Sequence, residues 1–252
     1  MNPGETRGGQ PQAGVQAAGQ APEDVPDPQG QIARRVFEAV RTELVPADLS
    51  FGGGTVLAAR WRHRVSLDVD LFCRPDTYAG LDAAARQRIE VQLASIPGCA
   101  SERNRCEPIA IYTEIDGIEA TVLPRAGRPS EAGEIHLSGT TLRLQATEEI
   151  LQGKILNRMY ETGEFAVRDV YDLACARRHD PAALDKVLAH IGSDIVGDLK
   201  TLLAKLPPGW SERDDKQLVK PRYTWNEDAL RQEIQRAIAI PNLQHQTRDL
   251  EP

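Results

Sequence analysis

The sequence predicts an α/β (α+β) fold in which a mixed sheet is followed by a helical C-terminal half. Before residue 146, short runs in which apolar and polar residues alternate lie between helical patterns. Beyond residue 147, apolar residues recur only at helical spacing. The chain has 252 residues and is 40% hydrophobic, which is enough for one large core or two small ones.

The sequence predicts that the chain has three segments. Residues 1–30 are rich in Gly, Pro, Gln and Ala and have almost no large apolar side chain, so we expect a disordered tail. Residues 31–146 form the predicted α/β domain, and residues 147–252 form the predicted helical C-terminal domain.

The α/β domain opens with a helix predicted over residues 31–44, which Pro46 ends. A short strand over residues 49–51 runs into a glycine turn, residues 52–55. A short helix over residues 56–61 then follows the turn.

The next predicted element is a half-buried strand over residues 65–73, where apolar and polar residues alternate. Asp68 and Asp70 are two positions apart, so we expect both side chains to leave this strand on the same face. An Ala-rich amphipathic helix is predicted over residues 79–94.

Two hairpins are predicted before the helical half. Apolar runs flank Asp116-Gly117, a pair that favours the positive φ angles of a type I′ turn. A second, smaller hairpin is expected around Ser138-Gly139.

The helical half begins at Thr147, the predicted N-cap, with Glu148 and Glu149 in the first turn. Its helices are predicted over residues 147–161, 165–178, 182–191, 194–206 and 226–239.

The composition argues against several classes of protein. A net charge of −7 argues against nonspecific coating of nucleic acid. The four cysteines form no C-x-x-C pair, so they predict reduced thiols rather than disulfides or a zinc site. No run approaches the roughly 20 apolar residues that cross a bilayer, and the start lacks the order of a signal peptide. We therefore expect a cytoplasmic protein with no membrane partner.

Asp68-Val69-Asp70 is the first candidate for chemistry. Two carboxylates on one strand face repel each other, and a hard, oxygen-seeking cation keeps both ionised. Mg²⁺, or Mn²⁺ in its place, takes one or two carboxylates plus substrate phosphates. We predict that Asp68 and Asp70 are catalytic metal ligands, although Asp-x-Asp also occurs by chance in strands.

The glycine turn is the second candidate. It offers backbone N–H groups at a helix N-terminus, and Gly53 and Gly54 have no Cβ to block a phosphate. Neither the P-loop nor the Rossmann pattern matches. Together with Thr55, these residues are predicted to bind a nucleotide; three glycines in isolation would favour a flexible turn.

The spacing of the two motifs resembles a known pattern. Phe51-Gly52-Gly53-Gly54-Thr55, followed by Asp68-Val69-Asp70-Leu71-Phe72, resembles the Gly-Gly/Ser…Asp-x-Asp motif of the DNA polymerase β-like nucleotidyltransferase superfamily. The run from residue 63 to residue 72, with Arg64 and Ser66, is similar to the signature of the AbiEii/AbiGii branch. That branch comprises toxins of bacterial abortive-infection and toxin–antitoxin systems and includes the MenT-type enzymes.

Later elements extend the resemblance over roughly residues 47–178: Lys154 and Arg158 on one helix, then Arg168-Asp169-Val170-Tyr171-Asp172. The resemblance implies that Arg64, Ser66, Lys154 and Arg158 bind the nucleotide and that Lys154 and Asp169 act in catalysis. Helical spacing also puts each pair, Lys154 with Arg158 and Asp169 with Asp172, on one face. The alternative is a set of salt bridges between two helices.

A third metal carboxylate is usual in the superfamily that the chain resembles. Glu119, just after the Asp116-Gly117 turn, is the candidate, and Glu114 is the alternative. Thr121 occupies the position where some relatives place an acid.

Two aromatic and basic runs remain. Residues 61–64 could form a patch near the site, but we expect Trp61 in the core and His63 facing solvent. The run from Trp210 to Trp225, which includes Lys216, Lys220 and Arg222, could contact RNA; a loop is the favoured interpretation.

The resemblance implies a metal-dependent nucleotidyltransferase that moves NMP from an NTP to an acceptor hydroxyl. It suggests the 3′ end of tRNA as acceptor, toxicity as outcome, and a cognate antitoxin as partner. Two alternatives stay open: a non-catalytic nucleotide- or partner-binding protein on the same fold, and NMP transfer to a protein or small molecule.

Overall fold

A five-stranded mixed sheet forms the centre of the first half of the computed structural model, which describes residues 25–125, 133–212 and 218–239. The strands lie in the order β1-β2-β5-β4-β3; β2 and β5 are parallel, and the other neighbours are antiparallel. The strands are β1 (Ser50–Gly52), β2 (Val69–Cys73), β3 (Arg105–Cys106), β4 (Ile111–Ile115) and β5 (Ile118–Pro124). The predicted mixed sheet is confirmed.

The described part of this half contains four α-helices: α1 (Gln29–Val40), α2 (Gly53–Trp61), α3 (Pro75–Ala79) and α4 (Ala83–Ala94). α1 packs against β2, β5 and α4, whereas α2 packs against β2 and reaches the later helices. α4 begins later than predicted because Asp82 caps it, accepting the Ala85 N–H at 2.7 Å.

Both predicted hairpins are confirmed. Asp116 and Gly117 join β4 to β5 with φ angles of 53° and 76°, as a type I′ turn requires. Ser138 and Gly139, at 47° and 87°, join β6 (Glu134–Leu137) to β7 (Thr140–Arg143).

Beyond residue 146, helices are the only regular elements of the described chain, apart from an isolated bridge between Val65 and Val219. Thr147 lies inside the first of them rather than capping it, and the cap residue is Ala146. Gly192, at φ 84°, breaks the third helix where two helices were predicted. The helices are α5 (Thr147–Gly153), its continuation as a π-helix (Lys154–Glu161), α6 (Val167–His179), α7 (Pro181–Ala204) and α8 (Glu227–Ala237).

Buried apolar side chains from both halves form one continuous cluster. The division into two domains at residue 147 therefore stays a prediction about the sequence. Within the described ranges, no helix combines the length and the apolar character that a bilayer-spanning segment needs.

The structure describes residues 25–30, the last part of the segment that was predicted as a tail. Residues 1–24 lie outside the described part of the chain, but Val25 is buried and α1 already begins at Gln29. The buried Gln29 amide donates from Nε2 to the Ser66 carbonyl at 2.9 Å. Residues 25–30 are therefore part of the packed structure, and one of them supports the segment that precedes Asp68.

We expect Gln29→Ala to destabilise the protein by roughly 1–3 kcal/mol, because it leaves the Ser66 carbonyl without this hydrogen bond. Urea unfolding at constant m-value measures the loss. Gln31→Ala on the same helix is the control, since Gln31 is only partly buried and makes one long bond to Arg34. Equal losses in the two variants would contradict the prediction.

The strand predicted over residues 65–73 is shorter and begins at Val69. Before Asp68 the alternation is reversed: Arg64 and Ser66 are buried, while Val65 and Leu67 are 38% and 50% exposed. His63, expected to face solvent, is fully buried, and Trp61 is buried as expected. The reason is a set of ionic contacts that draws the polar side chains inward.

Candidate active site

Asp68 and Asp70 lie where β2 begins, beside the end of β1. Asp68 immediately precedes β2, and Asp70 lies within it, opposite Gly52. Burial raises the pKa of Asp70, and the neighbouring Asp68 raises it further, against the lowering effects of the Thr121 hydroxyl and of Lys154. The Asp68 carboxylate therefore opposes the ionisation of Asp70 at this point.

The residue beside Asp70 on β5 is Thr121, whose Oγ1 donates to Asp70 Oδ1 at 2.9 Å. Glu119, the predicted third carboxylate, is exposed and pairs across the hairpin with Glu114. No group of three His, Cys, Asp or Glu that could hold a metal exists among the described residues. Neither Glu119 nor Glu114 therefore joins the two aspartates as a metal ligand. In the register of β5, the Thr121 hydroxyl lies beside Asp70 instead.

The glycine turn is built against these carboxylates. Gly53 has a φ angle of +67°, and a Cβ on it would overlap Asp70 Oδ2. Its N–H donates to Gln145 Oε1 at 3.2 Å. Thr55 Oγ1 donates to the Asp68 carbonyl. This hydroxyl therefore links α2 to the metal motif, and its proton is not free to bind a nucleotide.

Gly53→Ala should therefore reduce transfer activity by roughly a hundredfold, because the new Cβ must displace the Asp70 carboxylate. Gly163→Ala is a matched control: Gly163 has a φ angle of +68°, and a Cβ there meets nothing within 4 Å. Both variants carry the same backbone strain, so steady-state kinetics beside thermal unfolding separates strain from displacement. Equal activity in the two variants would contradict the proposed contact.

Behind the turn lies a buried ionic cluster, which we define as His63, Arg64, Lys154, Asp169 and Asp172. Lys154, only 6% exposed, donates to Asp169 Oδ1 and lies 3.1 Å from Asp172 Oδ2. Arg64 binds Asp172 through two hydrogen bonds of 2.6 and 2.8 Å. His63 Nε2 lies 2.7 Å from Asp172 Oδ1.

Asp172 is the anchor of the ionic cluster. Burial alone would raise its pKa, but the charges of Arg64 and Lys154 and the hydrogen bonds from Arg64 and His63 hold the pKa of Asp172 well below its usual range. The carboxylate is therefore ionised and ties the segment before β2 to the π-helix and α6.

Asp169, which the resemblance implies is catalytic, does not have a free carboxylate. It is fully buried, with Lys154 on one oxygen and Arg158 Nη1 3.0 Å from the other. That second oxygen has no aligned hydrogen bond within the described residues. This geometry suits a residue that positions Lys154 better than one that touches an acceptor hydroxyl.

The contact between Arg168 and the metal motif was not predicted from the sequence. It lies in the first turn of α6, and its Nη1 donates to Asp68 Oδ2. The only signal in the sequence was its position next to Asp169 in the resembling motif. Arg168 links the helical half directly to the carboxylate pair.

Apart from Glu119, the predicted site residues lie on elements that pack together, but not all of them are free ligands. Lys154 and Arg64 are held by buried carboxylates, and Thr55 is held by a backbone carbonyl. Ser66 is buried behind Gly54, within contact distance of a Cβ placed there. Arg158 is the more exposed cation and also pairs with Glu164 at 2.7 Å.

The carboxylate pair fits a divalent cation. Asp68 and Asp70 supply hard oxygen donors, and burial and Asp68 raise the pKa of Asp70, as expected of a carboxylate that a bound cation would stabilise. Because no third protein ligand joins them in the described residues, nucleotide phosphates and water would have to complete the coordination of such a cation.

A protein-family model described as "Nucleotidyl transferase AbiEii toxin, Type IV TA system" matches residues 37–239. The match covers the glycine turn, the carboxylate pair and the ionic cluster. No curated protein matches the chain.

Three solved structures match most of the chain at low identity. JHP933 from Helicobacter pylori is 14% identical, with a TM-score of 0.48 over 85% of this chain and 92% of that one. A provisionally named nucleotidyltransferase from H. pylori is 15% identical, with a TM-score of 0.45 over 84% and 94%. The STING-associated c-di-GMP synthase CdnE from Capnocytophaga granulosa is 15% identical, with a TM-score of 0.31 over 83% and 79%. At these identities and scores, the three structures say nothing about the substrate of this chain.

Proposed function

Because this chain belongs to the AbiEii nucleotidyltransferase family, we propose that it transfers NMP from an NTP to the 3′ end of an RNA, with Mg²⁺ or Mn²⁺ at Asp68 and Asp70. The acceptor hydroxyl oxygen forms a bond to the α-phosphorus, and pyrophosphate leaves. The enzyme class follows from the family. We propose the identity of the metal, the RNA acceptor and the role of each residue.

One observation carries it: Gly53 approaches Asp70 so closely that a Cβ would overlap the carboxylate. A backbone at a helix N-terminus and a metal-binding carboxylate then face one small space. Phosphate oxygens accept hydrogen bonds from backbone N–H groups and bind the cation that the carboxylate would hold. This combination supports triphosphate binding better than either motif alone.

A divalent cation, when bound, neutralises charge on the α-phosphate and polarises it. Asp68 and Asp70 would hold that cation through oxygen. Arg168 contacts Asp68 and is only partly buried, so its guanidinium is placed to meet phosphate oxygens at the same point. Lys154, enclosed by Asp169 and Asp172, contributes positive charge to the site without leaving its buried position.

We further propose that the RNA is tRNA and that its modification makes the protein a toxin restrained by a cognate antitoxin. The family description names a toxin of a type IV toxin–antitoxin system, which supports this reading. The rival acceptors are a protein side chain and a small molecule.

The test is incubation of the full chain with each α-labelled NTP in turn, Mg²⁺ or Mn²⁺, and total RNA. The proposal expects the label at RNA 3′ ends, loss of labelling in EDTA, and no labelling of RNA whose 3′ hydroxyl has been oxidised. Label in protein or in small molecules would replace the RNA acceptor. No label in any fraction, with NTP binding intact, would favour a non-catalytic binding protein.

A further inference from the structure

Two exposed apolar side chains lie directly before the metal motif. Val65 and Leu67 are 38% and 50% exposed, and Leu67 is the residue next to Asp68. They face outward because Arg64 and Ser66 take the buried positions. Three residues of extended chain span about 10 Å, so this apolar strip begins beside the carboxylate pair and leads away from it.

The strip is continued by a segment from the far end of the chain. Val65 donates its N–H to the Val219 carbonyl at 2.9 Å, and Arg222 donates its N–H to the His63 carbonyl at 2.7 Å. The Tyr171 hydroxyl accepts the Tyr223 N–H at 2.9 Å. Residues 219–223 are therefore attached to the segment that carries the strip.

Aromatic rings and guanidinium groups stack where the strip ends. The Tyr223 and Trp225 rings are stacked, with centroids 5.2 Å apart and planes 13° apart. The guanidinium of Arg178 lies 5.1 and 5.3 Å from these two centroids, and that of Arg222 lies 5.8 Å from the Tyr223 centroid. Both rings are half-buried and both arginines are exposed.

The same surface is cationic on a protein with a net charge of −7. Arg62, Lys220 and Arg222 are exposed, and within the described ranges none of the three forms an ion pair with a carboxylate. Arg178 pairs with Glu233 at 3.0 Å. Unpaired cations beside aromatic rings are the means by which proteins hold a single-stranded nucleic acid, with phosphates on the cations and bases on the rings.

We propose that this surface is the docking track for the acceptor, a single-stranded RNA 3′ end whose last nucleotide lies over Leu67 and reaches Asp68. The inference rests on the proposed function and adds the place and the chemistry of acceptor binding. Bases cover the exposed apolar strip and stack on the Tyr223 ring and the Arg222 guanidinium. The track consists of Leu67, Val65, Arg222, Tyr223, Trp225 and Arg178.

The test is anisotropy of a 5′-fluorescein-labelled single-stranded RNA added to the full chain without NTP. Arg222→Glu should weaken binding about tenfold and lower the slope of log K against log salt by about one. Tyr223→Leu keeps an apolar side chain but removes the stacking ring, and should weaken binding at least about fivefold. If thermal unfolding shows that Tyr223→Leu does not fold, Arg222→Glu carries the test.

Arg103→Glu is the matched control. The Arg103 side chain is 62% exposed and lies near Glu114, toward the edge of the sheet opposite β1. Arg103→Glu makes the same change of charge as Arg222→Glu. It should leave RNA binding unchanged. A blunt RNA duplex of equal length should bind the wild type more weakly than the single strand, because its bases are not free to stack.

The outcomes separate the two proposals. RNA that is labelled by the enzyme but bound equally by wild type, Arg222→Glu and Tyr223→Leu would overturn the track and leave the function standing. A wild-type chain that labels a protein or small molecule and binds no single-stranded RNA would overturn both the RNA acceptor and the track. Equal weakening by Arg103→Glu would reduce the effect to overall charge and also overturn the track.

Discussion

Asp68→Asn and Asp70→Asn should each lower nucleotide transfer at least about a thousandfold while the protein stays folded. Losing one metal carboxylate removes several kcal/mol of transition-state stabilisation, and each 1.36 kcal/mol corresponds to tenfold in rate. Single-turnover transfer of an α-labelled nucleotide measures the loss. Near wild-type activity in either variant would show that the metal assignment is wrong.

The same variants have a readout that does not depend on activity. Burial and Asp68 raise the pKa of Asp70, so the ionised carboxylate opposes folding at neutral pH unless a cation compensates it. Divalent metal should therefore raise the melting temperature of the wild type, and Asp70→Asn should abolish this shift. Glu119→Gln is the matched control, because it changes an exposed carboxylate on the neighbouring strand; it should alter neither activity nor the metal-induced shift.

Asp172→Ala should destabilise the protein by roughly 3–5 kcal/mol, the largest stability loss that we expect from a single side chain. Asp172 is fully buried, and removing it leaves the guanidinium of Arg64 and the ammonium of Lys154 without their shared carboxylate. Denaturant unfolding at neutral pH measures the change. Glu148→Ala, which breaks the exposed ion pair with Lys186, is the control and should cost no more than about 1 kcal/mol.

The pH dependence of stability gives an independent check on Asp172. Because Arg64 and Lys154 hold the pKa of Asp172 well below its usual range in the folded state, its contribution is present above the unfolded value of about 3.9. That contribution is lost as the pH falls below 3.9 toward the folded pKa. The free energy of unfolding of the wild type should decrease more steeply in this window than that of Asp172→Ala. Parallel curves would mean that Asp172 is not ionised in the folded protein.

Local sequence patterns were sufficient to predict the structure where a residue's conformation depends on its neighbours in sequence. Asp116-Gly117 specifies a type I′ turn by its preference for positive φ, and Gly192 interrupts a helix for the same reason. The glycine turn and the Asp-x-Asp strand were also identifiable in the sequence, because both motifs need a particular residue type at a particular spacing. Their assignment as nucleotide- and metal-binding residues stays a prediction.

Contacts between distant segments could not be predicted in this way. Arg64 and Ser66 lie on the polar side of a strand pattern that, by itself, puts Val65 and Leu67 inside. The structure reverses them because Asp172, 108 positions from Arg64, offers a buried carboxylate, and Gln29 binds the Ser66 carbonyl. A buried Asp172 left without its guanidinium partner would cost several kcal/mol, so the pairing fixes the orientation of Arg64, which no local pattern can indicate.

Periodicity and short motifs were enough to predict the fold class, most helices, the turns and the family to which the chain belongs. Which charged side chains are free depends on contacts that form only when the chain folds. The tertiary structure buried Lys154 and Asp169 against each other, placed Arg168 on Asp68, and put Thr121 rather than Glu119 beside Asp70. The physical reason is that a charge is stabilised by whichever opposite charge the fold brings within a few ångströms, and sequence distance does not limit that choice.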